Sequence, residues 1–412
     1  MHYMKTDLYF HHDKSICAIV SAKEGYKFVD NIESFCPTWT SLIEEAKTGF
    51  DGFPFYDRYK NCDVDFWDQY LDIVEGGDDN YTFLGCIYDG VIDFDSECLT
   101  GKGEYFEPLC IAMKLSEIYD FNSIHDIIFT KDYIVLSSDY GVMACSKIKI
   151  PFEPNPEQAT FRELVQSKLK KLRPFGDQIL YAKYGCTSSQ FTDIENALFY
   201  NIGTASFSAA LSKETSVYFQ RIQPNEICSF ENWEFQYLYY YSWAPKGKHR
   251  YWWEHELICE WNNIPLEKVK STLKATDYFL AIKQSPALVK CFEKDNETTL
   301  GLKIKLSIPR ATSFTNVVST MKPVIDGVIC AFHTPDGIAV DEVSKLLNIN
   351  KEVFLSAEKT CLGKRCYISP YRKSIKWNPQ DERLDYVVIE PVIVDDEKFS
   401  FSGQLFAIPC YI

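Results

Sequence analysis

The sequence lacks the long apolar runs that cross a lipid bilayer. No stretch approaches the roughly 20 consecutive apolar residues of a spanning helix, and the N-terminal residues MHYMKTDLYFHHDK contain no apolar signal core. Both features disfavour a membrane protein or a secreted protein. We expect a cytoplasmic protein that makes no membrane contact.

Closely spaced cysteine pairs are also missing, although cysteine itself is not rare. The 15 cysteines are scattered singly, no CxxC pair occurs, and the closest two are Cys361 and Cys366. Zinc ribbons need short, regular ligand spacings, and disulfide frameworks belong mainly to small secreted domains. The pattern therefore predicts reduced, buried thiols.

The motifs of several common enzyme classes are absent as well. The sequence has no GxSxG, no P-loop and no GxGxxG. These motifs respectively position a nucleophilic serine, bind a nucleoside triphosphate and bind a dinucleotide. No motif fixes a reaction, and we expect no bound cofactor.

The residues that are abundant can build a large core. The 412 residues are 46% hydrophobic and 15% aromatic. A chain of this length commonly divides into two or three domains. Its aromatic content favours strands, because flat rings pack well on a pleated surface.

Charge is distributed unevenly along the chain. Residues 1–150 contain 12 Lys and Arg against 27 Asp and Glu, a net charge of −15, whereas the remaining 262 residues contain 31 of each sign. Net charge bears on association and solubility rather than on fold. The asymmetry therefore predicts separate units with different partners, the acidic one offering its surface to another protein.

The densest aromatic run predicts a β-hairpin over 232–261. Every second residue from Trp233 to Trp243 is aromatic, and the same parity returns between Tyr251 and Trp261. An alternation of period two places one set of side chains on the core. A loop between the two runs would bring these faces into register.

The order of elements predicts an α+β fold with three parts. An acidic N-terminal α/β domain occupies 1–150 and ends at the proline-rich linker 151–156. A central domain at 157–310 is built on an aromatic-rich antiparallel sheet with packed helices. The segment 311–412 adds a helical part and C-terminal strands, which pack on the central sheet.

Several local patterns predict single elements. Thr160 and Glu163 have capping-box spacing and predict a helix start, and Pro323 predicts a kink in a helix over 314–332. Residues 340–359 predict two short helices separated by Asn348-Ile-Asn350, in the outline of a helix-turn-helix. Periodicity further predicts a helix at 265–275 and strands at 278–282, 300–308, 384–394 and 399–408.

Carboxylates on the polar face of the predicted hairpin form the first candidate site. In that register Glu234 faces Glu260, and like charges directly opposite each other destabilise a strand pair. A solvated face, or neutralisation by nearby lysines, is the simplest resolution, and it requires no metal. The alternative is a divalent cation, Mg²⁺ or Mn²⁺, held by Glu234, Glu260 and His255.

That alternative implies a metal-dependent hydrolase or nuclease. Clustered carboxylates suit phosphoester chemistry assisted by metal ions. The residues that would act as ligands or as the base are Glu254, Glu256 and Glu260.

A basic segment near the C-terminus forms the second candidate site. Cations that neutralise phosphates beside rings that stack on bases are typical of nucleic-acid binding, although ordinary surfaces also carry such charges. The candidate nucleic-acid contacts are Lys359, Lys364, Arg365, Tyr367, Tyr371, Arg372, Lys373 and Lys376.

Together these features favour a non-enzymatic binding or adaptor component of a bacterial multi-protein assembly. The acidic N-terminal region would bind another protein, and the basic, aromatic segment would contact nucleic acid. The metal-dependent hydrolase is the alternative hypothesis.

Overall fold

The computed structural model describes two compact units of the chain. One comprises Met1–Ile148 with Cys228–Phe235, and the other Lys149–Ile227 with Gln236–Ile412. The described residues are 6–10, 16–22, 81–88, 91–93, 112, 115–116, 118–119, 121, 126–173, 178–187, 193–222, 224–230, 233–245, 256–266, 273–285, 290–291, 299–356 and 358–408.

Strands account for most of the regular structure. They are β1 (Thr6–Phe10), β2 (Ile16–Ala22), β3 (Tyr81–Tyr88), β4 (Val91–Asp93), β5 (Asp126–Thr130), β6 (Tyr133–Ser137), β7 (Gly141–Ser146), β8 (Gln178–Cys186), β9 (Val217–Arg221), β10 (Ser229–Phe230), β11 (Trp233–Glu234), β12 (Tyr237–Pro245), β13 (Glu256–Pro265), β14 (Lys290–Cys291), β15 (Thr299–Pro309), β16 (His333–Pro335), β17 (Leu362–Arg365), β18 (Ile368–Tyr371), β19 (Ser374–Trp377), β20 (Leu384–Val394) and β21 (Ser400–Ile408).

Helical segments are fewer. They are α1 (Pro156–Leu169), α2 (Ala275–Gln284), α3 (Val318–Phe332), α4 (Val340–Leu347) and α5 (Glu352–Leu355), with a π-helical turn at Asn196–Tyr200 and 3₁₀ turns at Thr204–Phe207, Pro224–Glu226 and Asp381–Arg383.

The first unit contains antiparallel strands. Strands β1 to β7 follow the order β7-β6-β5-β1-β2-β3-β4, and β10 pairs with β11. Strands β5 and β6 form a hairpin in which Asp126 lies opposite Ser137. The prediction of an α/β domain at 1–150 falls largely outside the described residues.

The second unit is built on a mixed sheet of order β14-β13-β21-β15-β20-β9-β8-β12. The pairs β15/β20 and β8/β9 are parallel, and the other pairs are antiparallel. Two small additions flank the helices: β16 pairs with β17 in parallel, and β18 and β19 form an antiparallel hairpin. The described part of the chain is therefore a mixed, antiparallel-rich sheet with packed helices.

The predicted hairpin over 232–261 is wrong. Strand β12 pairs with β8, placing Tyr241 opposite Ala182, whereas β13 lies between β14 and β21. The aromatic alternation misled because β12 is buried on both faces: the four consecutive residues from Leu238 to Tyr241 are all buried. A strand with two covered faces carries no polar side from which to choose a partner.

Three strands predicted in the C-terminal half of the chain are confirmed. The predicted strands at 300–308, 384–394 and 399–408 correspond to β15, β20 and β21. In β15 the alternating Leu302, Ile304 and Leu306 are buried, as the pattern predicts. The strand predicted at 278–282 is wrong, because residues 275–284 form α2. Most of the helix predicted at 265–275 lies outside the described residues.

The predicted helix pair is also confirmed. Helices α4 and α5 lie within 340–359, and Asn348, with φ of 55°, ends α4 in the left-handed conformation. Asparagine tolerates this conformation better than most residues because its short side chain hydrogen-bonds locally. Helix α3 contains Pro323 and begins at Val318, slightly later than predicted.

Aromatic side chains fill the core between the sheet and the helices. One cluster surrounds Phe199, whose ring lies 5.2 Å from Phe219 and 6.3 Å from Tyr241. Another surrounds Trp261, 5.4 Å from Phe332 and 6.1 Å from Phe401. Edge-to-face and tilted rings of this kind each add to the stabilisation from burial alone.

Two further observations concern the cysteines and the helices. Seven of the described cysteines are thiols that form no disulfide bond: Cys145, Cys186, Cys228, Cys259, Cys330, Cys361 and Cys366. None of the described helices has both the length and the apolar character needed to cross a membrane.

Candidate functional site

Helix α3 carries two charged side chains into an otherwise apolar helix. Lys322 and Asp326 are separated by one turn, and most of their neighbours on α3 are buried. Residues four apart lie on the same helix face. The helix therefore places an ammonium and a carboxylate together at the edge of the core.

Three more carboxylates converge on Lys322 from distant parts of the chain. Its Nζ lies 3.4 to 3.6 Å from one oxygen of each of four acids, and their side chains are only 4 to 15% exposed, against 31% for the lysine. We name this group the lysine clasp; it consists of Asp193, Glu195, Lys322, Asp326 and Asp381.

Local structure fixes the two acids that precede the π-helical turn. Asp193 accepts hydrogen bonds from the backbone and side-chain amides of Asn196, so it caps the start of this turn. Glu195 lies one residue before the turn and points to Lys322, with Nζ 3.4 Å from Oε2. The hydrogen bonds from Asn196 therefore orient the Asp193 carboxylate.

Asp381 reaches the clasp from the 3₁₀ turn that precedes β20. Its Oδ2 lies 3.6 Å from Lys322 Nζ. The turn therefore adds a fourth carboxylate to the group around a single ammonium.

Burial governs the titration of these acids. It raises the pKa of Glu195 to about 8, of Asp326 to about 6 and of Asp381 to about 9; Lys322 opposes the rise at each acid, and the charge of Asp193 adds to it. Burial alone would lower the pKa of Lys322, but the surrounding carboxylates outweigh it and the net change is upward. The lysine therefore stays an ammonium while its partners exchange protons near neutrality.

These geometries define the chemistry of the clasp. A lysine whose pKa is raised is neither a nucleophile nor a base at neutral pH, whereas carboxyl groups that titrate near neutrality can hold and release protons. The carboxylates already surround a resident cation, Lys322. Among the described residues, no group of three or more His, Cys, Asp or Glu has an arrangement suited to a metal ion.

The carboxylates predicted from the hairpin are arranged differently. Glu234 lies on β11 opposite Ser229, and Glu260 lies on β13, where Gln404 Nε2 donates to its Oε2 at 3.2 Å. The predicted facing of Glu234 and Glu260 is wrong, because their strands are not partners. Glu256 is exposed at the start of β13, and Glu254 and His255 lie outside the described residues.

Three of the eight predicted nucleic-acid contacts serve the fold, and a fourth stands apart from the rest. Lys359 Nζ donates to the carbonyls of Ile282 and Ser285 at the end of α2. Arg365 Nε donates to the Asn378 carbonyl at 2.8 Å. Tyr367 is fully buried, and exposed Lys364 stands apart on β17.

The other predicted contacts share one exposed element. We name the strands β18 and β19 with their two-residue turn, 368–377, the basic hairpin. Tyr371 is 53% exposed, and the guanidinium of Arg372 lies 5.3 Å from its ring centroid. Lys373 completes the turn, and Lys376 is exposed on β19 opposite Ser369.

The lysine clasp was missed from the sequence. Lys322 and Asp326 are the charged residues of an apolar helix, and that pattern marks a polar site inside a core. The spacing of the other three acids gives no such signal, because they lie far from α3 in the sequence and come together with it only in the folded chain.

Comparisons with protein-family models, curated proteins and solved structures give no match for this chain. The sequence and the geometry above are therefore the basis for a functional assignment.

Proposed function

We propose that this protein is a non-enzymatic binding component of a multi-protein assembly and that it contacts nucleic acid through the basic hairpin. The supporting observation is the exposure of Tyr371, Arg372, Lys373 and Lys376 on one small hairpin. The ten residues 368–377 contain three cations and no carboxylate, in a chain whose net charge is −15.

The hairpin has the features that bind a phosphate backbone. Exposed cations release condensed counterions when they neutralise phosphates, which makes such binding depend strongly on salt. The exposed ring of Tyr371 offers a surface on which a base can stack, and Arg372 can take part through its planar guanidinium. Two-stranded ribbons are also an established means of entering a groove.

The neighbouring helix pair is a weaker candidate for this contact. Helix α5 has four residues and buries Phe354, so it is too short to serve as a recognition helix. The first turn of α4 carries Asp341 and Glu342, which repel phosphates. Helix α4 packs beside the basic hairpin, and we assign it a supporting role.

The proposal predicts that reversing two charges at the hairpin tip weakens nucleic-acid binding. Arg372→Glu/Lys373→Glu should lower affinity for fluorescent single-stranded and duplex oligonucleotides and reduce the slope of log K against log salt by about 2, because each lost phosphate contact removes about 0.7 to 0.9. Fluorescence anisotropy across a salt series measures both quantities.

The matched control is Lys131→Glu, an exposed lysine in the turn of another hairpin, β5–β6. It should leave affinity and slope unchanged. Equal losses of affinity in both variants would show that the effect comes from overall charge and not from the basic hairpin. An unmodified chain that binds no oligonucleotide would refute the proposed contact.

The second partner of the proposed adaptor is a protein with a basic surface. The supporting observation is the net charge of −15 in residues 1–150, which favours association with a positively charged patch. Affinity capture from cells at low and high salt tests this part: a stable partner that dissociates with salt supports it.

The alternative hypothesis of a metal-dependent hydrolase gains no support from the described residues. Glu234 lies on β11, whereas Glu256 and Glu260 lie on β13, and these two strands do not pair with each other. Glu260 is also hydrogen-bonded to Gln404.

A further inference from the structure

The lysine clasp holds a segment that leads directly from the basic hairpin. Residues 378–383 connect β19 to β20. Arg365 fixes one end of this connection, donating from Nε to the Asn378 carbonyl and from Nη2 to the Pro379 carbonyl, each at 2.8 Å. Asp381, near the other end, lies 3.6 Å from Lys322. Arg221 Nη2 also donates to the Glu382 carbonyl at 3.0 Å, so the connection has three cationic anchors.

The charges of the clasp do not balance when every acid is ionised. Four carboxylates and one ammonium give 1 − 4, a net charge of −3, among carboxylates that are at most 15% exposed. Like charges repel strongly where water is largely excluded. Protons bound by the carboxyl groups relieve this repulsion.

We propose that the lysine clasp is a proton-dependent lock on the connection between the basic hairpin and β20. While the clasp holds its protons, Asp381 stays beside Lys322 and Asp193, and the connection is fixed to α3. When the acids ionise, Asp381 is expelled toward solvent, and the connection keeps only its two arginine anchors, Arg365 and Arg221.

Other charged groups near the clasp do not replace these protons. On α3 itself, Cys330 is fully buried, and burial raises the pKa of its thiol well above the usual range, with Asp326 and Asp381 adding to the rise. Arg365 opposes that rise in the pKa of Cys330, and Arg383, buried on the same 3₁₀ turn as Asp381, donates from Nη1 to Gln380 Oε1 at 2.8 Å. From α2, Tyr278 contacts Thr320 of α3, and burial raises its pKa. The turn Thr204–Phe207, which also packs on α3, has no titratable side chain.

The direction of the pKa changes agrees with this geometry. The values of about 8 for Glu195 and about 9 for Asp381 lie above the ordinary value of about 4 for a carboxyl group. Protons bound by the folded clasp therefore favour the closed state at neutral pH and below. That contribution is lost as the pH rises through about 8 and about 9.

Hydrogen–deuterium exchange of the full chain tests the lock directly. Protection of peptides covering 378–383 and 193–201, corrected for intrinsic exchange, should fall as the pH rises from about 4, by up to about tenfold per pH unit for each proton released, and level off above about pH 9. Peptides from β15 should show no such fall. The readout involves no nucleic acid, so the result is independent of the proposed function.

Neutral variants complete the test. Asp381→Asn and Glu195→Gln imitate the protonated acids, and each should preserve protection at about pH 9. Asp395→Asn, at an acid whose side chain is 87% exposed, should behave like the unmodified chain. Protection that does not change with pH, or the same fall in both clasp variants as in the control, would overturn the lock. If Asp381→Asn does not fold, Glu195→Gln decides the outcome.

Discussion

At the scale of single residues, Lys322 has the role that a bound cation has in other acidic sites. Its ammonium lies within 3.6 Å of four carboxylates, and its side chain is largely covered. Removing one partner of a buried ion pair destabilises a protein more than the pair itself stabilises it, because the remaining charges lose their compensation.

We therefore predict that Lys322→Met lowers the free energy of unfolding by about 3 kcal/mol, measured by urea denaturation at neutral pH. Methionine retains most of the length of the side chain, so the loss reports on charge. The matched control is Lys351→Met: Lys351 is 55% exposed and its partner Asp341 is 93% exposed. This variant should change stability by less than about 0.5 kcal/mol. Equal effects in the two variants would show that the clasp carries no unusual energy.

At the scale of elements, the sequence predicts strands with one solvated face better than strands inside the sheet. The alternation in β15 identifies its buried side, whereas the aromatic run in β12 alternates without exposing either face. Partners of interior strands depend on the order of the whole sheet, which no local pattern encodes. The candidate site follows the same rule: the basic hairpin is contiguous and was largely found, while the clasp depends on segments that meet only in the fold.

The start of α1 shows how a correct principle can be applied to the wrong residue. Thr160 and Glu163 have capping-box spacing, but the helix begins earlier. Asn155 accepts from the Gln158 backbone at 2.9 Å, and the Gln158 side chain accepts from the Asn155 backbone. Pro156 follows at the first helical position, where its missing amide costs nothing. The proline-rich linker thus contains the helix start.

We predict that Asn155→Ala lowers the free energy of unfolding by about 1 kcal/mol, because it leaves helix amides without a partner. Thr160→Ala should change it by less than about 0.5 kcal/mol, since Thr160 lies inside α1 and its hydroxyl only bonds back to the Pro156 carbonyl. Chemical denaturation of the two variants measures the difference, and a larger loss at Thr160 would place the cap at the predicted position after all.

At the scale of the whole molecule, the dependence of stability on pH combines two buried systems of opposite sign. The clasp acids have raised pKa values in the folded state, so the stability they contribute is present below about pH 4 and is lost as the pH rises through about 6 to 9. His333 behaves in the opposite way. It is fully buried, its Nδ1 lies 3.0 Å from the Gly363 carbonyl, and burial lowers its pKa to about 4.

The neutral His333 contributes stability that is present above its ordinary pKa of about 6.5 and is lost as the pH falls toward about 4. Between about pH 4 and 6.5 the three clasp acids outweigh the single proton of His333, so the two systems together predict stability that declines as the pH rises from about 4 to about 9, by up to about 1.4 kcal/mol per pH unit for each net proton exchanged. Urea denaturation at about pH 5, 6, 7 and 9 measures the curve. Asp381→Asn should make the decline shallower up to its alkaline end, whereas His333→Gln should make it steeper below about pH 6.5 only. A curve whose alkaline side is unchanged in Asp381→Asn would assign that loss to the general repulsion of a chain with a net charge of −15 rather than to the clasp.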